Sequence, residues 1–67
     1  PEATPALVRG LADREPLVRG ACAWALGQIG TPEACAALGA RLGLESDAEV
    51  RRELEAAYRL ASLPQAQ

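Results

Sequence analysis

The sequence contains no histidine, and this absence removes the commonest routes to catalysis and metal binding. Without an imidazole, neither a Ser-His-Asp nor a Cys-His catalytic set can form, and the commonest metal ligand is missing. The remaining residues form no set of acid, base and nucleophile. We therefore expect a non-enzymatic chain without catalytic, cofactor-binding or metal-ligating residues.

Methionine, phenylalanine and lysine are also absent, and the only aromatic residues are Trp24 and Tyr58. Residues branched at Cβ are few, and alanine, the best helix former, supplies much of the hydrophobic content. This composition favours an all-α fold. The lack of methionine further leads us to expect that the 67 residues are a segment of a longer protein.

The charge balance is slightly acidic, with a net charge of -2, and all seven basic residues are arginines. A net-acidic domain is not an obvious nucleic-acid binder, because neutralising phosphates requires a basic surface. No apolar run reaches the roughly 18 residues that span a membrane, and no signal peptide is visible. The sequence predicts no membrane association.

Cys22 and Cys35 are the only cysteines, and their spacing matches no zinc, redox or haem motif. Both lie in alanine-rich apolar stretches. They are interpreted as two buried free thiols of a reducing compartment, which predicts a cytoplasmic location; a disulfide is the alternative.

The most informative feature is internal repetition. Pro1-Glu2-Ala3 recurs as Pro32-Glu33-Ala34, and Val18-Arg19 recurs as Val50-Arg51, with one residue inserted between the two motifs. The period is therefore about 31 residues, which is typical of a solenoid built from two-helix repeats. We predict one domain over 1–67.

Prolines, glycines and capping residues mark the predicted helix ends. The four predicted helices run up to about Ala12, from Pro16 to Ile29, from Thr31 to about Gly43, and from Ser46 to about Ser62. Gly30 stops the second helix, Pro64 stops the fourth, and Ser46 is the predicted N-cap of a capping box with Glu49 at N3. The prediction is two antiparallel helical hairpins, at 1–30 and 31–63, forming an α-solenoid fragment.

Apolar residues fall on different faces of the predicted helices. The fourth carries one stripe, formed by Val50, Leu54, Ala57 and Ala61, which is typical of a terminal helix with one buried side. The second carries two stripes and is therefore predicted to be central and packed on both sides. These stripes are Val18, Cys22, Ala25 and Ile29, and Leu17, Ala21 and Trp24.

The predicted structural core comprises Trp24, Val18, Leu26, Ile29, Val50 and Leu54. For Trp24 the alternative is an exposed ring that stacks on a ligand. Nothing in the sequence covers the first helix, so we expect further repeats or another domain of the parent protein to precede it.

The segment from Leu17 to Gly30 resembles HEAT-like repeats of the phycocyanobilin-lyase type, whose second helix carries a V-R-x-x-A-x-x-A-L-G-x-I-G pattern. Cys22 departs from that pattern, which has a small residue there. The resemblance implies a HEAT-like fold over nearly the whole chain. It implies little about function, because such repeats occur in many unrelated proteins.

A narrower resemblance is to the C-terminal segment of the epoxyqueuosine reductases. It rests on Val18-Arg19-Gly20 and Ala23–Gly27, followed by Asp47, Glu49-Val50-Arg51 and Glu53. It implies the helical tail of a tRNA-modifying enzyme of queuosine synthesis that helps to position tRNA. The catalytic part of that enzyme uses iron–sulfur clusters and cobalamin, and two isolated cysteines cannot hold such clusters. The alternative is a general protein–protein interaction scaffold of the lyase-type HEAT family.

Arg19 and Arg51 occupy equivalent positions in the two repeats, which permits two interpretations. The structural one is that each bonds acidic groups of its preceding turn, near Asp13 or Glu15 and near Asp47. The functional one is that arginines contact phosphate, such as weakly bound tRNA, or an acidic partner. The candidate contacts are Arg19, Arg51, Arg9 and Arg52.

Gly20, Ala23 and Gly27 line one side of the second helix. Each glycine costs about 1 kcal/mol of helix propensity, so a packing reason is expected. We predict close packing against the first or third helix; the alternative is a surface on which another chain or a nucleic-acid backbone lies.

Overall fold

A computed structural model describes residues 2–64, and these form four α-helices. The helices are α1 (Thr4–Gly10), α2 (Pro16–Ile29), α3 (Pro32–Leu42) and α4 (Ala48–Ala61). No strand occurs in this part of the chain, and the all-α prediction is confirmed. Pro1, which opens the repeated motif, and 65–67 at the end of the predicted domain lie outside the described residues.

Contacts between helix pairs define the arrangement of the two hairpins. α3 and α4 are antiparallel, because Cys35 contacts Ser62 whereas Gly39 lies against Tyr58. α2 and α4 instead run in the same direction and pack side by side along their length. The second hairpin therefore stacks on the first in register, as in a solenoid.

Most helix ends lie where local sequence signals place them. Gly30 ends α2 with φ 68°, a left-handed conformation that favours glycine. Thr31 caps α3, and its hydroxyl accepts the Ala34 N–H at 3.2 Å. α1 ends two residues before the predicted Ala12, because its last turn tightens into i to i+3 bonds.

The predicted N-cap of α4 is wrong by one residue. Asp47, not Ser46, has the extended cap conformation, and its carboxylate accepts the Val50 N–H at 3.0 Å. The Asp47 N–H is itself held by Glu45 Oε2 at 3.0 Å. This bond holds the turn in the position in which the Asp47 carboxylate caps the amino-terminal end of α4. Because the cap is one residue later than predicted, Glu49 is the second residue of α4 rather than the third.

The core is small and consists mostly of leucine and alanine. α4 contributes the predicted stripe, and Leu26, Leu38 and Leu54 are the largest fully buried side chains. Ile29 packs at the edge of the core and is only partly buried. The buried apolar residues are Leu11, Ala23, Leu26, Ala34, Leu38, Val50, Leu54, Ala57 and Ala61.

Two residues predicted to lie in the core are exposed instead. Trp24 is 66% exposed and Val18 is 38% exposed. The buried side of α2 is centred on Ala23 and Leu26, and Trp24 is turned about 100° around the helix from Ala23. The prediction that α2 is packed on both apolar sides is therefore wrong for the described part of the chain.

The strip of small residues on α2 packs against α4, not against α1 or α3 as predicted. A Cβ at Gly27 would lie 2.9 Å from Ala57 Cβ and 3.0 Å from Ala57 Cα. At Gly20 the neighbouring atoms are instead those of the Glu53 carboxylate, the end of a flexible side chain that can move. The contact of Gly27 with the Ala57 backbone therefore holds the two helices close together and leaves no room there for a larger side chain.

Candidate functional site

Apolar side chains are exposed along the surface where α2 and α4 lie side by side. Leu17 is 87% exposed and Trp24 is 66% exposed on α2, and Leu60 is 42% exposed on α4. Leu17, Ala21 and Trp24 are spaced by four and three residues, so they share one side of α2. We call this surface the α2–α4 face, defined by the residues that line the two grooves described next.

The first groove, named here the Trp groove, has a volume of about 240 Å³. It is lined by Trp24, Gln28, Glu53, Ala56, Ala57 and Leu60. Its floor includes Ala57, which also packs on Gly27. An exposed indole beside a fixed floor of small residues leaves space for one bulky apolar side chain.

The second groove, named here the acidic groove, has a volume of about 250 Å³ and lies beside the amino-terminal ends of the same helices. It is lined by Pro16, Leu17, Asp47, Glu49, Val50 and Glu53. Glu53 belongs to both grooves, so the two are adjacent. The acidic groove therefore combines exposed apolar surface with three carboxylates.

A fourth carboxylate, Glu45, is buried and serves the fold. Its side chain is fully inaccessible, and it receives a two-pronged bond from Arg19, with Nε to Oε1 and Nη2 to Oε2 both at 2.9 Å. Arg41 Nε adds a bond at 3.2 Å, and the Asp47 N–H adds another. Burial raises the Glu45 pKa, but the bonds from Arg19, the Asp47 N–H and Arg41 outweigh it and leave the pKa lowered.

Both repeat-equivalent arginines are engaged in the structure. Besides Glu45, Arg19 Nη1 donates to the Asp13 and Arg14 carbonyls at 2.8 and 3.2 Å. Arg51 Nη1 donates to the Leu42 and Glu45 carbonyls at 2.7 and 3.1 Å. The arginines thus tie down the turns that precede their own helices.

The acidic partners predicted for these arginines need correction. The carboxylate that Arg19 bonds is Glu45 of the second hairpin, not Asp13 or Glu15, and the groups that Arg51 bonds are carbonyls rather than the Asp47 carboxylate. The reason is that the carboxylate of Asp13 turns back to its own loop, accepting the Glu15 N–H at 2.9 Å.

The remaining candidate arginines are separate from this network. The Arg9 and Arg52 side chains are exposed, on α1 and α4. Their predicted contact with tRNA or another partner stays a prediction. The structure does not gather Arg9, Arg19, Arg51 and Arg52 into the α2–α4 face, because none of them lines either groove.

Cys22 and Cys35 are free, so the alternative of a disulfide is wrong. Both are half-buried rather than fully buried. Burial, with a smaller contribution from Asp13, raises the pKa of the Cys22 thiol, and this disfavours the reactive thiolate. The Cys35 Sγ lies 3.3 Å from the Ser62 Oγ.

Within residues 2–64, no three or more Cys, Asp or Glu side chains are grouped so that they could hold a metal ion. None of the helices in the same range is long and apolar enough to cross a bilayer.

A family model for HEAT repeats matches residues 1–59. The chain belongs to the HEAT-repeat family. This membership agrees with the two stacked hairpins. Among curated proteins and among solved structures, nothing matches the chain significantly. HEAT repeats generally mediate protein–protein interaction.

Sequence reasoning identified the apolar stripe of Leu17, Ala21 and Trp24 but assigned it to the core. It missed Leu60 and the contribution of Glu53. The available signal was that α2 carries two apolar stripes, whereas the four helices bury a side of α2 that belongs to neither and is made of Gly20, Ala23, Leu26 and Gly27. An apolar stripe without a partner within the fold indicates an interaction surface.

Proposed function

We propose that this chain is a non-catalytic protein-interaction module that binds a segment of another protein along the α2–α4 face. The observation that carries the proposal is the exposed Trp24 beside the Trp groove, in a fold whose core is filled by leucine and alanine. Tryptophan is enriched among the residues that dominate binding energy, because it buries a large apolar area in a single pocket.

The floor of the Trp groove supports this proposal. Gly27 and Ala57 are in direct contact, so neither helix can move inward to close the groove. A groove that is already formed costs little reorganisation when a partner binds. The fold thus provides a rigid surface, and the partner supplies the side chain that covers Trp24.

A selection from a random twelve-residue peptide display library on the immobilised chain tests the proposal directly. Each enriched peptide is then titrated against the chain and its Trp24→Ser variant. We expect binding to fall by at least about tenfold in the variant, on the order of 1.4 kcal/mol, because Trp24 forms one wall of the groove.

Leu44→Ser is the matched control for this experiment. Leu44 is 73% exposed and lines neither groove, so its replacement removes exposed apolar surface elsewhere. We expect peptide affinity to be unchanged in this variant. If no peptide is enriched, or if the two variants lose affinity equally, the α2–α4 face is not a binding site.

The narrower resemblance adds a finer proposal, namely that the module belongs to an epoxyqueuosine reductase-like enzyme and helps it to position tRNA. Within this chain, the support comes from the exposed side chains of Arg9 and Arg52. Phosphate contacts of this kind orient a substrate without reading its sequence. We expect only weak tRNA binding by the isolated chain, since its net charge is -2 and Arg19 is engaged by Glu45.

Titration of labelled tRNA at two salt concentrations tests the finer proposal. An Arg9→Gln/Arg52→Gln variant should weaken the residual binding and reduce its salt dependence. The protein-interaction proposal predicts that Trp24→Ser leaves tRNA binding unchanged. No change in the arginine variant would exclude these residues as the tRNA contact.

A further inference from the structure

The geometry points to a partner of defined chemistry: a segment that carries a bulky apolar side chain close to a lysine or arginine. The apolar side chain would occupy the Trp groove, and the cation would occupy the acidic groove. This inference rests on the proposed function and specifies the partner of the same face.

The carboxylates of the acidic groove are available to a cation. Within residues 2–64, neither Glu49 nor Glu53 forms a salt bridge, in contrast to the buried Glu45. Asp47 uses Oδ1 to cap α4, and its carboxylate also attracts the guanidinium of Arg19. Glu49 and Glu53 are therefore the carboxylates of the acidic groove that are open to a cation, and the lining contains no basic residue that would repel one.

The spacing of the two grooves limits the length of the segment. Leu17 and Trp24 are seven residues apart on α2, a rise of about 10 Å. An extended peptide covers that distance in about three residues, and a helix in about two turns. The apolar and cationic side chains should therefore be about three residues apart in an extended partner, or about seven in a helical one.

Charge also argues against two other occupants. The phosphates of a nucleic acid would face Asp47, Glu49 and Glu53 without a basic residue between them. A second copy of the chain, related by a two-fold axis, would present the same face, and neither groove of that face contains a basic residue to pair with these carboxylates. A cationic segment of another protein matches both grooves without this repulsion.

The test uses the peptides enriched in the display selection and a pair of matched double variants. Glu49→Gln/Glu53→Gln neutralises two carboxylates of the acidic groove. Glu33→Gln/Glu55→Gln is the control, with the same charge change outside both grooves. The positions correspond, because Glu33 and Glu49 are both second residues of their helices, and Glu53 and Glu55 are both central in α4.

We expect the enriched peptides to contain more arginine and lysine than the library, about three or about seven residues away from a leucine, isoleucine or phenylalanine. Their affinity should fall by roughly three- to tenfold in Glu49→Gln/Glu53→Gln and remain unchanged in the control. Raising the salt concentration from about 0.05 M to about 0.5 M should weaken binding to the unaltered chain, because the Debye length shrinks.

Two outcomes separate this inference from the proposed function. The cationic partner would be contradicted if the Trp24-dependent peptides showed no enrichment of basic residues, or if the two double variants lost affinity equally. In either case the α2–α4 face would remain a binding site. Absence of any Trp24-dependent peptide would overturn the face itself and the inference with it.

Discussion

At the scale of single residues, Trp24 is mostly exposed, so its replacement should affect partner binding much more than the stability of the fold. Because the ring is 66% exposed, Trp24→Ala should change the free energy of unfolding by less than about 1 kcal/mol. A buried tryptophan would cost about 3–5 kcal/mol on the same replacement. Urea denaturation followed by circular dichroism measures the difference without relying on the indole.

Leu26→Ala provides the comparison, since Leu26 is fully buried. It should cost about 2–5 kcal/mol, which in a domain of this size is enough to leave much of the chain unfolded. A loss in Trp24→Ala as large as that in Leu26→Ala would mean that the indole belongs to the core.

Glu45 should make stability depend on pH. At neutral pH, Glu45→Gln should lower the free energy of unfolding by roughly 1–3 kcal/mol, since charged hydrogen bonds from Arg19 and Arg41 are weakened. The Glu45 pKa is lowered in the fold from its ordinary value of 4.5. Its contribution is therefore complete above about pH 4.5 and is lost as the pH falls through the folded pKa.

Urea denaturation of both proteins across the acid range measures this dependence. The difference in unfolding free energy between the unaltered chain and Glu45→Gln should be constant above about pH 4.5 and shrink below it. Glu55→Gln serves as the control, because Glu55 is exposed. A difference that stays constant down to the lowest pH would contradict the assigned role of Glu45.

The structural role of Arg19 could be predicted from its repeat-equivalent position, but its carboxylate partner was not identified. Glu45 lies 26 residues away along the chain, so no local pattern connects the two. Repeat equivalence relates Glu45 to Asp13, at the same offset that relates Arg51 to Arg19. Each of these two carboxylates accepts the N–H two residues ahead, at 3.0 and 2.9 Å.

At the scale of helices, the contact between α2 and α4 depends on the absence of a side chain at Gly27. Gly27→Ala gains about 1 kcal/mol of helix propensity, but the new Cβ would lie 3.0 Å from the Ala57 backbone, which cannot rotate away. Overpacking of this kind costs about 1–3 kcal/mol, so we expect net destabilisation.

Gly43→Ala is the matched replacement, measured by thermal unfolding alongside Gly27→Ala. Gly43 has φ -73° and ψ -12°, and a Cβ there would lie 3.6 Å from its nearest neighbour. We expect this variant to be neutral or stabilised by about 0.4–1 kcal/mol. If Gly27→Ala is stabilised as well, the two helices are not in the close contact described.

Helix boundaries were largely predictable because their signals are local. Thr31 and Gly30 act within one turn of their own helix, and both were assigned correctly. The cap of α4 was not, because the choice between Ser46 and Asp47 is made by Glu45 through its bond to the Asp47 N–H. The position of the α4 cap thus depends on Glu45, which is held by the buried ion pair with Arg19, and not on the capping motif alone.

At the scale of the whole molecule, the repeat offset predicts two stacked hairpins, and the structure has them. Which side of α2 is buried does not follow from periodicity. It depends on how α4 packs against α2, and the close approach of the two helices rests on the contact of Gly27 with Ala57. The binding face is therefore a property of the packed pair of helices.

Mapping of backbone amide chemical shifts during titration with a display-selected peptide tests the central claim most directly. A chain of 67 residues is well suited to this measurement. The account predicts that the largest changes lie at the lining of the Trp and acidic grooves, on α2 and α4, and at the Trp24 indole N–H. Changes centred on α1 and α3, with the Trp24 indole unaffected, would contradict it.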